Sequence, residues 1–267
     1  MNFNFTKLIT AVIVSMSVVG VSLAQSASTG PNKVYVEQIG SSNTLTIQQV
    51  GGTNSVGGVT NTTPTAVDGT GITTLTPDSP SSSNYGTITG STNTVAITQT
   101  GNSNNTQYNI RGNNNQYSSE VTGNGNKTRL TIGNINNATN AQNVITEAVI
   151  GNTNTIIQDV VGSNITSATS LTGDNNQVTS SLLSTNGSVN NTVSGNVNVF
   201  NIQQTDSAGA NGHILVMNTT GDYNSITTQQ QGTNDTTVNI QTTGSNNTVT
   251  VRTSSSAIVS PMTAIAR

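Results

Sequence analysis

Side chains that could carry out acid–base or metal chemistry are few in this sequence. His213 is the only histidine, and there is no cysteine. The acids nearest to it along the chain, Asp206 and Asp222, do not form a carboxylate pair. An active site needs a nucleophile, a base or a metal-binding cluster whose members converge, so these residues predict no catalytic, cofactor or metal site. We therefore expect that the protein is not an enzyme and that His213 is a turn residue.

Charged side chains are also too sparse to bind a polyanion. Seven lysines and arginines and ten acids give a formal net charge of -3, and the basic residues are scattered along the chain. Nucleic-acid binding requires a clustered positive surface that neutralises phosphates. The glycine-rich runs also lack the Lys-Ser/Thr ending of a phosphate-binding loop. The composition thus predicts neither a nucleic-acid partner nor a small-molecule substrate.

Glycine and side-chain amides are the groups that recur with a fixed spacing. Glycine returns every eleven residues at Gly90, Gly101, Gly112 and Gly123, and asparagine follows each glycine three places later. The predicted turn glycines are Gly40, Gly51, Gly90, Gly101, Gly112, Gly123, Gly151, Gly162, Gly173, Gly221, Gly232 and Gly244. The predicted stacking residues, whose amides can pair with those of neighbouring strands, are Gln38, Asn43, Gln49, Asn54, Asn93, Gln99, Asn104, Asn115, Asn126, Asn154, Asn176, Asn224, Gln230 and Asn247.

Between these groups the chain alternates apolar and polar residues, as a β-strand with one buried face does. From Asn93 the in-phase positions are Val95, Ile97 and Gln99, followed by Gly101. Each eleven-residue unit is therefore one short strand plus one turn that glycine makes possible. Two such strands form a coil of about 22 residues, and the coils must stack because their edges are otherwise unpaired. The predicted fold is an all-β β-solenoid of stacked strand-turn-strand coils.

The strict spacing has a physical reason in such a stack. Each asparagine or glutamine must lie above its counterpart, because a buried amide without a partner costs about 1–3 kcal/mol. A slip of one residue would also turn the apolar set outward. A helical fold is disfavoured, since glycine and asparagine are frequent and no helical stripe of apolar residues appears.

The remaining segments flank or interrupt the repeats. Residues 1–24 are predicted to be a signal peptide, because Lys7 precedes an apolar run and Ser22-Leu23-Ala24 forms a small-x-small cleavage pattern. Residues 25–54 form a leader and a first repeat, residues 55–86 a loop or linker rich in Pro, Ser, Thr and Gly, residues 87–252 the repeat array and residues 253–267 a C-terminal tail. The mature protein is therefore expected to be secreted. The alternative is that the apolar run stays as a membrane anchor.

Four segments resemble the curlin repeat, the Gln-x-Gly-x-x-Asn unit of curli fibre subunits. QIGSSN fits it from Gln38 to Asn43, QVGGTN from Gln49 to Asn54, and QTGNSN from Gln99 to Asn104. QQGTND provides Gln230 and Gly232 but has Asp235 at the asparagine position. The resemblance covers the rhythm of residues 33–252. Several units have an apolar residue where the family has glutamine, namely Ile110, Val121, Val160 and Leu171.

The resemblance implies a secreted subunit that self-assembles into an extracellular functional amyloid, used in biofilm matrix and surface adhesion. It implies coils stacked end to end in a cell-surface fibre, with Gln49, Asn54, Gln99, Asn104 and Gln230 at ladder positions. The implied partners are further copies of the chain in a homo-polymer, a nucleator subunit and a dedicated outer-membrane secretion channel.

Two other functions fit a solenoid that stays monomeric. One is an adhesin or fibre-tip protein, which would bind a ligand without polymerising. The other is an ice-binding protein, which would present an outward array of Thr-x-Thr segments. Residues 44–46 and 98–100 are two such segments. We expect that array to be broken, because Gln107, Asn109 and Arg111 take the places that the spacing matches to it.

Overall fold

The structure is a computed structural model that describes residues 21–24, 30–58, 85–133, 141–205, 212–232 and 236–254. Most of the predicted signal peptide, of the predicted 55–86 loop and of the C-terminal tail lies outside these ranges. Within them the chain forms strands joined by short turns and bends, and it contains no helix.

Twenty strands, numbered in chain order, make up the described fold. They are β1 (Val21–Ala24), β2 (Lys33–Val34), β3 (Val36–Ile39), β4 (Thr44–Val50), β5 (Ser55–Gly57), β6 (Gly86–Thr89), β7 (Thr94–Thr100), β8 (Asn105–Arg111), β9 (Gln116–Thr122), β10 (Lys127–Ile132), β11 (Val144–Ile150), β12 (Thr155–Ser163), β13 (Thr166–Thr172), β14 (Gln177–Thr185), β15 (Ser188–Ser194), β16 (Val199–Thr205), β17 (Ile214–Thr220), β18 (Ser225–Gln231), β19 (Thr237–Thr243) and β20 (Thr248–Ser254).

The strands alternate between two parallel sheets, which we call sheet A and sheet B. Sheet A has the order β1-β4-β7-β9-β11-β13-β15-β17-β19. Sheet B has the order β2-β5-β8-β10-β12-β14-β16-β18-β20, and β6 pairs with both β3 and β8. An inner strand is therefore hydrogen-bonded to the strand one coil before it and the strand one coil after it. The predicted β-solenoid is confirmed, with about eight turns and a spacing of roughly 23 residues.

Alternation along each strand places every second side chain in a core between the two sheets. In β7, Val95, Ile97 and Gln99 are buried, whereas Thr94 and Thr100 are exposed. The same apolar rows continue from β4 to β20 as one cluster. Each buried Val, Leu or Ile side chain contributes about 1.5–3 kcal/mol relative to leaving it in water, so the core stabilises the pairing register.

Apolar residues lie inside the solenoid where the Gln-x-Gly-x-x-Asn unit would place glutamine. Ile110, Val121, Val160 and Leu171 are all fully buried, at no more than 1% exposure. These coils are therefore held at that row by apolar packing instead of amide pairing.

Extra residues in the solenoid follow strands of sheet B. From β4 onward, the turns from sheet A to sheet B, which we call A-to-B turns, have four residues each, as in 101–104 and 173–176. Between β4 and β20, the stretches outside the described ranges follow strands β5, β10, β16 and β18 of sheet B. Ser55–Gly57, which the sequence assigned to the loop, form β5 because Val56 continues the alternation and is fully buried.

The last residues of the predicted signal peptide pair with the first long strand of sheet A. Strand β1 lies parallel to β4, with Val21 in register with Ile47 and Ala24 in register with Val50. Cleavage after Ala24 would remove β1 and leave β4 as the N-terminal edge of sheet A. No helix in the described ranges has the length and apolarity to cross a bilayer.

Candidate stacking site

The A-to-B turns have a conformation that requires glycine at the first position. In the turn 101–104, Gly101 has φ 114° and Ser103 has φ 58°. A Cβ atom on Gly101 would lie 2.0 Å from the carbonyl oxygen of Gly123 in the next coil. Two residues with positive φ reverse the chain, and the absence of a Cβ lets successive turns stack at the spacing of the strands.

All twelve predicted turn glycines have positive φ, and Gly162 differs only in lying within β12. Gly195, which was not among the predicted turn glycines although it lies 22 residues after Gly173, belongs to the same set. It has φ 105° and precedes β16 in a four-residue A-to-B turn. The residues inserted after β16 shift the glycine count without disturbing this turn.

A continuous row of asparagines follows the A-to-B turns along the rod, and we call it the inner ladder. The backbone N–H and the Nδ2 of Asn126 both donate to Oδ1 of Asn104, at 3.1 Å each. Nδ2 of Asn126 also donates to the carbonyl oxygen of Gly151 in the following coil, at 2.7 Å. Each amide thus joins three consecutive coils. The inner ladder comprises Asn32, Asn54, Asn104, Asn126, Asn154, Asn176, Asn198, Asn224 and Asn247.

The opposite edge, where the chain passes from sheet B to sheet A, carries a shorter ladder. It comprises Asn43, Asn93, Asn115 and Asn143, joined by the same pair of bonds from Asn115 to Asn93 at 3.0 and 3.1 Å. The backbone N–H of Ile165 donates the last of these bonds to Oδ1 of Asn143. Further along, His213 lies buried before β17, and its Nδ1 is 2.7 Å from Oγ1 of Thr236.

A third row, which we call the outer ladder, lies on the exposed side of the A-to-B turns. The backbone N–H of Asn102 donates to Oδ1 of Asn124 at 2.9 Å, and the N–H of Asn152 donates to Oδ1 of Asp174 at 2.6 Å. Sequence analysis missed this row, although its signal is an Asn or Asp directly after the turn glycine. Its members are Asn102, Asn124, Asn152, Asp174, Asn196 and Asp222.

The predicted glutamines pair locally and do not form one row. Nε2 of Gln49 donates to Oε1 of Gln99 at 2.8 Å. Gln38 instead lies in register with Ile88. Gln230 lies in register with Gln204, but its Nε2 donates to the carbonyl oxygen of Ile214 at 3.1 Å. The long side chain reaches across the core, so its partner depends on the facing sheet as well as on the stack.

Among the described residues, a single carboxyl group lies in the core. Glu147 of β11 is 1% exposed, accepts from Oη of Tyr117 at 2.8 Å and accepts from Nε2 of Gln158 at 3.1 Å. Its register neighbours Ser119 and Thr169 are uncharged. Burial raises the pKa of Glu147 from 4.5 to about 7, because removal from water disfavours the charged form.

Replacing Asn104 with alanine should destabilise the folded protein by about 2 kcal/mol. The change leaves the N–H of Asn126 and the carbonyl oxygen of Gly123 without their buried partner, and unmade buried bonds cost about 1–3 kcal/mol each. Asn124→Ala, in the exposed outer ladder, is the matched control and should cost less than about 1 kcal/mol, because water replaces its bonds. Urea unfolding of both variants measures the difference, and equal losses would contradict the role assigned to the inner ladder.

The fold does not bring together the described side chains that could bind a metal or act as acids and bases. No cluster of three or more His, Cys, Asp or Glu side chains occurs in the described ranges. The expectation that Gln107, Asn109 and Arg111 interrupt the outward threonines of residues 44–46 and 98–100 is wrong, because these three residues belong to β8 in sheet B. The threonines belong to sheet A, where the strands next to β7 are β4 and β9.

No protein-family model, curated protein or solved structure matches this chain.

Proposed function

We propose that this protein is a secreted structural subunit whose coils stack end to end in an extracellular, curli-like functional amyloid fibre. The inner ladder is the observation that supports the proposal most directly. Its bonding pattern repeats from coil to coil and ends at Asn247, whose Nδ2 bonds only to Thr243 of its own turn among the described residues. The Nδ2 of an inner member such as Asn126 bonds to the next coil as well.

The two ends of the described solenoid carry matching side chains in sheet B. At the C-terminal end, Val249 and Val251 of β20 follow Asn247. At the N-terminal end, the partly buried Val34 and Val36 follow Asn32 at the same spacing. Stacking Asn32 of one copy on Asn247 of another would therefore continue the amide row and two apolar rows. Unpaired parallel edges of this kind favour the addition of another strand.

The proposed fibre serves biofilm matrix and surface adhesion, and the protein has no enzymatic role in it. The partners are further copies of the chain, a nucleator subunit and an outer-membrane secretion channel, as in the curlin family. Support for these finer points comes only from the sequence resemblance in segments such as Gln38–Asn43 and Gln99–Asn104. The second candidate is a monomeric solenoid that binds a ligand or ice, which the outward threonines of sheet A favour.

A proline in β19 tests the end-to-end contact. The first N–H of each inner strand of sheet A points to the following coil, as that of Ile214 does toward the carbonyl oxygen of Thr236. Strand N–H groups alternate in direction, so the N–H of Asn239 faces the unpaired edge of β19 among the described residues. Asn239→Pro should keep the folded monomer but abolish elongation, because proline cannot donate to the incoming strand.

Fibre growth is followed by amyloid-dye fluorescence and electron microscopy on the chain from Gln25 onward. A chain from Val21 onward is run in parallel, because β1 completes the first coil. Asn239→Ala is the matched control and should polymerise like the unmodified protein. A protein that remains monomeric at micromolar concentration for days would exclude the proposed function. Normal fibres from the proline variant would exclude this end as the contact.

A further inference from the structure

The outward side chains of sheet A form a regular surface, which we call the A face. It is built from strands β4, β7, β9, β11, β13, β15, β17 and β19, each of seven residues. Neighbouring strands are parallel and in register, as Thr94 is with Gln116 and Gln116 with Val144. The A face thus presents straight columns of side chains along the rod.

The A face is almost uncharged and is rich in threonine. Glu120 is the one charged residue at its outward positions in these eight strands. Two exposed apolar side chains lie at the two ends of β11, midway along the rod: Val144 at 37% and Ile150 at 55% exposure. A surface that combines exposed apolar side chains with an uncharged polar surround has the composition of an interface between proteins.

The outward side of sheet B has a different character. Lys127 and Arg252 lie on it, as does the ion pair between Arg129 and Asp159 at 3.3 Å. Part of this side is already covered, since the outward Ile157 and Arg129 are 0% and 3% exposed. Sheet B therefore offers no comparable free and uncharged surface.

We propose that the A face packs against the A face of a second copy, so that the fibre consists of two paired rods. Seven residues at ~3.3 Å and eight strands at ~4.8 Å give a face of roughly 900 Å². This is close to the roughly 800 Å² per partner that stable interfaces bury. The inference rests on the proposed polymerisation, because stacking repeats the contact along the fibre and multiplies its strength.

In a two-fold arrangement of the rods, Glu120, the one charged residue of the A face, does not face another charge. An axis along the strands between β11 and β13 places β9 opposite β15 of the second copy. Glu120 then faces outward residues such as Asn190 and Thr192, which are uncharged. The same axis brings Val144 of one copy close to Val144 of the other, and Ile150 close to Ile150, at the two lateral edges of the contact and midway along the rods.

Two lysines in β11 test the pairing. Val144→Lys/Ile150→Lys places charge at both ends of β11, where the two-fold axis brings equivalent residues of the two copies together, and both positions are exposed in the single chain. Paired rods should fall at least ~10-fold, because like charges held close together across an interface are costly, while elongation continues. The control, Thr131→Lys/Ser181→Lys, adds the same charge to half-exposed positions on the outside of sheet B and should leave pairing unchanged.

Fibre width in electron micrographs and mass per length in scanning transmission images distinguish single from paired rods. Unmodified fibres that are single rods, or paired rods in the β11 variant, would overturn the pairing. If the unmodified protein forms only single rods and inhibits ice growth, and the β11 variant loses that inhibition, the A face binds ice and the proposed pairing is also overturned. If no fibre forms, the proposed polymerisation fails, and sedimentation of the soluble protein then tests the pairing through its oligomeric state. A dimer dissociated by the two lysines supports pairing, and a monomer excludes it.

Discussion

Replacing Gly101 with alanine should destabilise the folded protein by more than about 4 kcal/mol, enough to prevent folding in a domain of ordinary stability. The new Cβ would lie 2.0 Å from the carbonyl oxygen and 2.8 Å from the carbonyl carbon of Gly123. Both atoms are backbone, so relief requires that two stacked coils move apart and lengthen their strand hydrogen bonds. The φ of 114° adds a conformational cost for any residue with a side chain.

Gly125→Ala is the matched control for this clash. Gly125 has φ 65°, in the left-handed region, and its added Cβ would meet only Cγ2 of Thr153 at 3.5 Å. Ser103 and Asn175 occupy the same turn position in other coils with similar φ, so the cost should be about 1 kcal/mol. Urea unfolding measured by circular dichroism compares the two. A similar, small loss in both variants would show that the coils do not stack as closely as described.

Stability should fall as pH rises between about 4.5 and 7, by about 3 kcal/mol, because of Glu147. The folded state holds the proton up to a pKa of about 7, whereas the unfolded chain releases it near 4.5. The contribution is therefore fully present below pH 4.5 and is lost as pH rises to about 7, above which it is constant. The group is 1% exposed, so solvent does not screen the effect.

Glu147→Gln should remove this contribution, because glutamine stays neutral at every pH. Unfolding free energies measured in urea at pH 5 and pH 8 should then differ by about 2.5 kcal/mol less than in the unmodified protein, because pH 5 already lies above the unfolded pKa. Glu120→Gln, at an exposed outward position of the neighbouring strand β9, is the control and should keep the pH dependence. A Glu147→Gln variant that retains the full dependence would place the titrating group elsewhere.

The alternation and the glycine spacing were sufficient to predict the fold, because both are local properties of a repeated unit. The asparagine ladders were predicted in part. Asn143, in the shorter ladder at the opposite edge, was missed because the residues inserted after β10 shift the count that precedes it. Asn32 and Asn198 of the inner ladder were also missed, although each lies 22 residues from a predicted member, Asn54 or Asn176. The apolar residues at the glutamine position, such as Val121 and Leu171, lie inward because the period of two fixes which face they occupy.

Contacts across the core could not be predicted from the spacing. Glu147 lies between Ile145 and Val149 in the alternation, so its inward direction could have been inferred from their positions. Its partner Gln158 belongs to the facing sheet, and nothing in one strand's sequence indicates which residue of the other sheet lies at the same height. The same limit applies to Gln38. It lies in register with Ile88 of β6, because the residues inserted after β5 divide the next strand of sheet B into β5 and β6.

Because the extra residues between β4 and β20 follow strands of sheet B, this part of the molecule has one side that tolerates lengthening and one that does not. Foreign peptides grafted between Gly133 and Ala141, or between Thr205 and Gly212, would leave the four-residue A-to-B turns intact. A graft within the turn 151–154 would separate two stacked amides of the inner ladder. The solenoid is therefore a scaffold that can display a guest sequence along one side only, at intervals set by the length of a single subunit.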